Sequence, residues 1–267
     1  MGDADDPRFA TTLARGLSVL RSFRTTDDGL SNAELAERTG LPKSTVSRLT
    51  WTLRRLGYLT QSERDDRFRP GPTLVAVGHV AAVSLSFMEP AHRLMAALAN
   101  ETGTLVVLSV RDGDKLVLIR TWRPTNVSSL WLDVGYRLPL AGYSSARAFV
   151  GALSPAEYAG LQRQVDPAAG FAQLADPGER LQARNELIAR GFVLTPGGED
   201  APASYNAVSV PIRPSELNEP VVFTCGALPT EASLQRLETV VGPRLRAAVT
   251  SLERLTGQLG NQTRSKA

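Results

Sequence analysis

Two short helical patterns meet around the tripeptide Gly40-Leu41-Pro42, and that junction leaves the chain few ways to fold. Gly40 supplies the left-handed conformation in which helices commonly end. Pro42 suits the first position of the next helix, because the N–H it lacks would have had no partner there. Upstream, Ser31 and Glu34 have the spacing of a capping box, which fixes where the first of the two helices begins. Downstream, Val46, Leu49, Leu53 and Leu56 recur at helical spacing as a narrow apolar stripe. Opposite that stripe fall Ser44, Ser47, Arg48, Trp51 and Arg55, with Lys43 and Thr45 near the helix start. A preceding helix is predicted over Thr11–Phe23, where Leu13, Leu17 and Leu20 share one face. Two helices on a tight turn, the second carrying basic and hydroxyl side chains outward, spell a helix-turn-helix.

Charge is distributed to match. The 267 residues carry a net charge of only +3, so the molecule as a whole is no polycation. The window from Arg38 to Arg69 nevertheless holds eight Lys and Arg against three acids, +5, which leaves −2 for everything else. From Arg38 to Ser62 there is no acid at all, as an anionic partner would require. Lys, Arg, Ser and Thr donate to phosphate oxygens, and Arg also grips the major-groove edge of guanine. An ordinary helical hairpin with a solvated basic face would share this composition, but it would not need the residues immediately C-terminal to it. Tyr58–Gln61 and Arg67–Arg69 read as two short strands around the turn Ser62–Asp66, closed by Gly71-Pro72. This is a wing, with Arg64, Arg67 and Arg69 set to lie along phosphates. Trp51, late on the outward face, is expected to pack against the wing or another subunit rather than to touch DNA.

The rest of the chain is built differently. With 42% hydrophobic and 21% charged residues it is too apolar for disorder and long enough for two domains. One cysteine excludes a disulfide framework and a multi-cysteine zinc site, and two histidines leave metal chemistry short of ligands. No metal and no cofactor are expected. The acidic start MGDADDPRF is unlike an export signal, which with the single cysteine points to the cytoplasm. The apolar stretch Leu74–Met88 is shorter than a bilayer span and interrupted by His79, Ser84 and Ser86, so no membrane is expected. It reads instead as a linker helix over 73–88 that is apolar on every side and needs a second chain as cover. His79 is there a packed or capping residue rather than a ligand. A second helix is predicted over Ala91–Asn100. Further helices are predicted over 144–153, 155–163, 177–190 and 231–256. Strands are predicted over Thr104–Arg111 and Lys115–Trp122, joined by the hairpin turn Asp112-Gly-Asp114, and over Phe192–Leu194, Tyr205–Ile212 and Val221–Ala227. That order indicates an α+β fold. The expected division is 1–72 for DNA binding, 73–90 as linker and 91–257 as a second domain, with 258–267 a flexible tail.

The chain resembles the IclR family of bacterial transcriptional regulators. The matching words are Ala14-Arg-Gly-Leu-Ser-Val-Leu20, Leu35-Ala-Glu-Arg-Thr-Gly-Leu-Pro-Lys-Ser-Thr-Val-Ser-Arg-Leu49, Leu56-Gly-Tyr58, Arg67-Phe-Arg-Pro-Gly-Pro72, Asp112-Gly-Asp114, Leu138-Pro-Leu140, Arg190-Gly-Phe192 and Asn206-Ala-Val-Ser-Val-Pro211. Each word is weak alone, and the ordered set is specific. The resemblance implies a winged helix-turn-helix, a linker helix and a GAF-like effector-binding domain with an antiparallel sheet. It implies homo-oligomers, either dimers or dimers of dimers, acting on double-stranded operator DNA. The family's DNA-contacting positions fall on Lys43, Ser44, Thr45, Ser47 and Arg48. Its effector positions fall on Tyr143, Ser144 and Ser145, on Thr195, on Tyr205 and Asn206, and on Cys225 and Ala227. Trp131 is a further candidate ring. Hydroxyls and the amides of a helix N-terminus hold a carboxylate while aromatic rings line an apolar pocket, and Tyr143, Trp131 and Cys225 serve equally as core residues. The chain departs from the family at Ala146-Arg147 and at Thr224-Cys225-Gly226-Ala227. The small-molecule effector is expected to be an organic acid, aromatic acids being among the candidates.

Catalysis is not expected. Gly142-Tyr-Ser144-Ser-Ala146 imitates a nucleophile elbow, but that machine needs a later histidine and both His79 and His92 come earlier. No phosphate-binding glycine loop occurs. A ligand-independent architectural DNA-binding protein is the other alternative, and the long strand-rich second half argues against it.

Overall fold

The computed structural model describes residues 7–125, 130–165, 176–197 and 204–257. The expected flexible tail, 258–267, lies outside them. The chain forms two compact units, Met1–Leu85 and Ser86–Ala267.

In the first unit, α1 (Thr11–Arg21), α2 (Asn32–Thr39) and α3 (Lys43–Arg55) precede a hairpin of β1 (Leu59–Gln61) and β2 (Phe68–Pro70), and α4 (Pro72–Val83) comes after it. The capping box forms as its spacing requires: Ser31 N–H donates to Glu34 Oε2 at 2.8 Å and Glu34 N–H to Ser31 Oγ at 3.3 Å. Gly40 ends α2 at φ 68°, the left-handed region where a Cβ is strained. Pro42 stands at the N-cap of α3, one place before the first helical position. A small core holds Val19, Leu30, Leu35, Val46, Leu59 and Phe68, with Leu49 and Leu53 packed against it. Two readings of periodicity change here. On α1 the buried residue is Val19, while Leu13 and Leu17 face outward; on α3 Thr50 is interior, and Leu56, just past the helix end, is exposed. Thr50 is buried without loss because its hydroxyl bonds both the Val46 carbonyl and Asn32 Oδ1, each at 3.0 Å. Helix α4 has no buried residue, and its Val75, Val77, Val80 and Val83 are 50–74% exposed.

The apolar run breaks earlier than its composition predicts. Helix α4 ends at Val83 and α5 spans Met88–Thr102. Ser84 turns its hydroxyl onto the Ala81 carbonyl at 2.7 Å, and Ser86 donates its N–H to Glu216, so serines compete with the helical ladder at the break. Pro90 lies inside the first turn of α5, where its missing N–H has no helical partner to lose.

The second unit is a three-layer α+β domain. Six strands, β3 (Leu105–Asp112), β4 (Lys115–Trp122), β5 (Arg137–Pro139), β6 (Val193–Thr195), β7 (Asn206–Ile212) and β8 (Val221–Ala227), form an antiparallel sheet in the order β5-β4-β3-β8-β7-β6. Helices α6 (Ser144–Ala152), α7 (Pro155–Gln164) and α8 (Pro177–Arg190) lie toward one face, and α5 and α10 (Gly242–Leu255) pack on the other. Strand β5 has no counterpart in the sequence reading, being a three-residue segment without alternation. The predicted 231–256 helix is also subdivided: α9 (Leu234–Arg236) runs into a π-helical turn over Leu237–Val241 and then into α10. Pro243 accounts for it, since its ring displaces the carbonyl four residues back and removes one ladder bond. A β-bulge between Leu108 and Ser109 in the β3–β4 register shifts side-chain parity along β4. Leu116 and Leu118 therefore face the α6 side, whereas Trp122 crosses to the α5 side and donates its indole N–H to His92 Nδ1 at 3.0 Å.

Candidate functional sites: a basic helix face and an uncharged pocket

Thr50 fixes the rotation of α3, and that fixes which residues leave the domain. Lys43, Ser44, Ser47, Arg48 and Arg55 are exposed and Thr45 is partly covered. No side chain caps the start of α3, so its first amides stay available beside Lys43 and Ser44. Trp51 does not pack on the wing: it is 59% exposed, with the Arg55 guanidinium 5.8 Å from its ring centroid.

The basic window is less free than its composition suggests, because acids pair with it, Asp27, Asp28 and Glu34 from outside the window and Asp65 from within it. Arg38 makes a two-pronged pair with Asp27 at 2.6 and 2.8 Å. Arg67 grips Glu34 at 2.7 and 2.9 Å and bonds the Gly29 carbonyl. Arg69 bonds Asp28 at 2.9 Å and Asp65 at 2.8 Å. Arg67 and Arg69, expected on phosphates, thus fasten the wing to the α2 end of the domain, while Arg64 at the wing turn stays exposed. The amide and hydroxyl of Ser31 and then Arg67 hold the Glu34 carboxyl down at about 2. A depressed carboxylate stabilises the fold above its unfolded value, 4.5, and that contribution is lost as pH falls from there toward about 2. Glu34→Gln is therefore expected to lower the denaturation midpoint of the N-terminal unit at pH 7, with the gap to wild type closing as pH drops through that window. A gap independent of pH refutes this role for the carboxylate.

The second site is a crevice between the sheet and α6. It is lined by Leu105, Val107 and Ser109 of β3, Leu118 of β4, Leu130, Leu132 and Leu138, Tyr143, Ser144 and Ser145 at the start of α6, Thr195, Tyr205, Ala207 of β7, and Thr224 and Gly226 of β8. Among the described residues no charged side chain lines it. Its polar groups are aligned hydroxyls: Ser144 Oγ lies 2.8 Å from Ser209 Oγ, which lies 2.7 Å from Thr224 Oγ1. Thr195 Oγ1 is buried and has no hydrogen-bond partner among the described residues. The N-terminus of α6 is buried here, Tyr143 capping it in extended conformation without a side-chain hydrogen bond. Buried amides at a positive helix end receive an anion well. Burial raises the hydroxyls of both Tyr143 and Tyr205 above the ordinary phenol value, so each is a donor at neutral pH. The space outside protein atoms in the crevice and its open mouth together is about 470 Å³, and a water molecule's centre reaches only about 20 Å³ of it, so the crevice is narrow.

Of the residues expected here, Tyr143, Ser144, Ser145, Thr195 and Tyr205 come together, and four do not. Cys225 and Ala227 point to the opposite face of β8, since strand alternation gives the crevice to Thr224 and Gly226. There Cys225 is fully buried beside Thr104 and burial pushes its thiol up to about 12, an inert core group. Asn206 is structural: it accepts from Gly197 N–H at 2.8 Å and donates to the Ala232 carbonyl at 2.9 Å. Trp131 is 69% exposed, stacked under Arg123 at 3.7 Å, while its neighbours Leu130 and Leu132 face inward. Arg147 turns from the crevice to Glu186 at 2.6 Å and the Leu194 carbonyl at 3.3 Å. The residues missed, Ser109, Ala207, Thr224 and Gly226 among them, are on central strands whose alternation names them once one inward residue is known.

A winged helix-turn-helix unit followed by an α+β domain enclosing a small uncharged pocket defines a DNA-binding regulator with a sensory domain. Comparisons with known proteins place it more closely. Residues 12–63 match the model of the IclR helix-turn-helix domain, and residues 79–177 match that of the bacterial transcriptional regulator IclR C-terminal domain. The HTH-type transcriptional regulator TsaQ1/TsaQ2 of Comamonas testosteroni is 29% identical over 91% of this chain and 87% of its own length. An IclR family transcriptional regulator from Brucella abortus, solved as a crystal structure, is 30% identical at TM-score 0.73, covering 95% of this chain and 96% of that one. An IclR homologue from Microbacterium hydrocarbonoxydans complexed with 4-hydroxybenzoate shares the fold at TM-score 0.69 and 19% identity, covering 91% and 98%. The chain belongs to the IclR family of transcriptional regulators. Among the described residues no single helix is long and apolar enough to cross a membrane.

Proposed function

We propose that this protein is a cytoplasmic, homo-oligomeric regulator that reads double-stranded operator DNA with α3 and changes its operator affinity when its C-terminal domain binds a small organic acid. The observation that carries the reading is the division of labour among cations. Acids immobilise Arg38, Arg67 and Arg69, while the α3 face keeps Lys43, Arg48 and Arg55 exposed beside an uncapped helix start. Lys43, Ser44, Thr45, Ser47, Arg48 and Arg55 are assigned to DNA, with Arg64 on the flanking phosphates. The exposed valines of α4 supply the subunit contact, and two-fold symmetry then sets half-sites about one or more helical turns apart, ~34 Å each. In the crevice the α6 amides with Ser144 and Ser145 take the carboxylate, the leucines take an apolar or aromatic body, and Tyr143, Thr195 and Tyr205 take distal polar atoms. The 4-hydroxybenzoate held by the Microbacterium relative supports an aromatic acid as the first probe.

Footprinting on the DNA flanking its own gene, with and without 4-hydroxybenzoate and aliphatic acids, tests site, symmetry and switch together. Paired protected half-sites whose protection shifts with an acid are the expected result. Protection without symmetry overturns the dimeric reader. Protection that no acid alters, with no acid raising the melting temperature, overturns the sensor.

A further inference from the structure

Trp51 is the one large apolar side chain on the outward face of α3. At 100° per residue Ser44, Arg48, Trp51 and Arg55 fall within about 60° of each other, a single stripe along the helix. Every companion in that stripe is polar or cationic. The other exposed apolar residues of this unit stand elsewhere: Phe9, Leu13 and Leu17 on or just before α1, and the four valines on α4. Leu56, past the end of α3, is about 140° around the helix from Trp51. Trp51 therefore belongs to no apolar patch. Pairing this stripe with its own copy would set guanidinium against guanidinium, a like-charge contact that opposes association. A polyanion instead welcomes Arg48 and Arg55 and leaves the ring in need of an apolar partner. The major groove offers one, the thymine C5-methyl, while guanine, cytosine and adenine present polar edges there.

On the reading of α3 as the DNA-binding helix, we infer that Trp51 is a specificity-determining residue whose indole packs on a thymine methyl in the major groove. Arg55, already 5.8 Å from the ring centroid, holds one side of the indole and leaves the other to the base. Trp51 is seven residues beyond Ser44, about 10 Å along the helix. The thymine thus lies roughly three base pairs from the step read by the helix start.

The test uses the full-length protein and a duplex it selects from a random library, with each thymine of the protected region replaced in turn by deoxyuridine, which lacks only the methyl. Wild type is expected to lose about fourfold in affinity at one symmetry-related pair of thymines. Trp51→Ala is expected to lose that sensitivity entirely, Trp51→Phe to keep it, and Arg48→Ala to keep it at lower overall affinity. Sensitivity that survives in Trp51→Ala overturns the inference. So does an unchanged deoxyuridine profile accompanied by dissociation of the oligomer in sedimentation, which makes Trp51 a subunit contact. Failure of the library to yield any duplex overturns the DNA-reading assignment itself, a result distinct from the first two.

Discussion

Replacing Arg48 with alanine is expected to weaken binding to a selected operator by roughly 5- to 150-fold while the folded domain persists. Arg48 is exposed in the second turn of α3, where a recognition helix meets base edges, and among the described residues no carboxylate pairs with it. Its side chain is available for a bidentate contact with guanine, and its loss exposes no buried charge. Stability should therefore change by no more than about 0.5 kcal/mol, as for surface substitutions generally. Arg67→Ala provides the opposite pattern. It breaks the pair with Glu34 and the bond to Gly29, so the wing loosens and stability falls. Arg64→Ala separates a third effect, reducing the slope of log affinity against log salt by about 0.9 if Arg64 neutralises one phosphate. Fluorescence anisotropy across a salt series reads all three variants. Equal affinity of Arg48→Ala and wild type at every salt concentration removes Arg48 from the interface.

How much of the fold and the sites was legible in the sequence depends on the range of the interactions involved. Caps, turns and stripes are local, so Ser31 with Glu34, Gly40 and the outward face of α3 were readable from spacing alone. The clamps Arg38–Asp27 and Arg67–Glu34 join residues 11 and 33 positions apart, and a charge count over one window leaves both cations unpaired. The same limit applies in the pocket. The family words located strands that line the crevice, but a strand's facing is decided by its neighbours, and a one-residue difference exchanges Thr224 and Gly226 for Cys225 and Ala227. The bulge at Leu108/Ser109 shows how little sequence signal such an exchange needs. Trp131 was drawn toward the pocket by being aromatic, whereas Arg123 and Asp133 hold it at the surface.

Gly226 lies on a central strand facing the crevice, and a Cβ built there meets Leu130 at 3.4 Å and Tyr205 at 3.7 Å, ordinary contact distances. Gly226→Val is therefore expected to fold, since valine suits a strand and its Cβ fits. Its two methyls, however, project into the crevice, where little more than 20 Å³ is open to a water's centre. A ligand that saturates wild type at a hundred times its Kd stabilises it by about 2.7 kcal/mol, a rise of roughly 5–10 °C in melting temperature for a domain of this size. In Gly226→Val that rise should vanish while operator binding without ligand is retained. Cys225→Ser is the control on the other face of the same strand. It places a hydroxyl in a core position and should cost about 1–3 kcal/mol in stability, yet leave the ligand-induced rise intact. If instead Cys225→Ser abolishes the rise and Gly226→Val preserves it, β8 presents its other face to the effector and the pocket lies on the α5 side of the sheet.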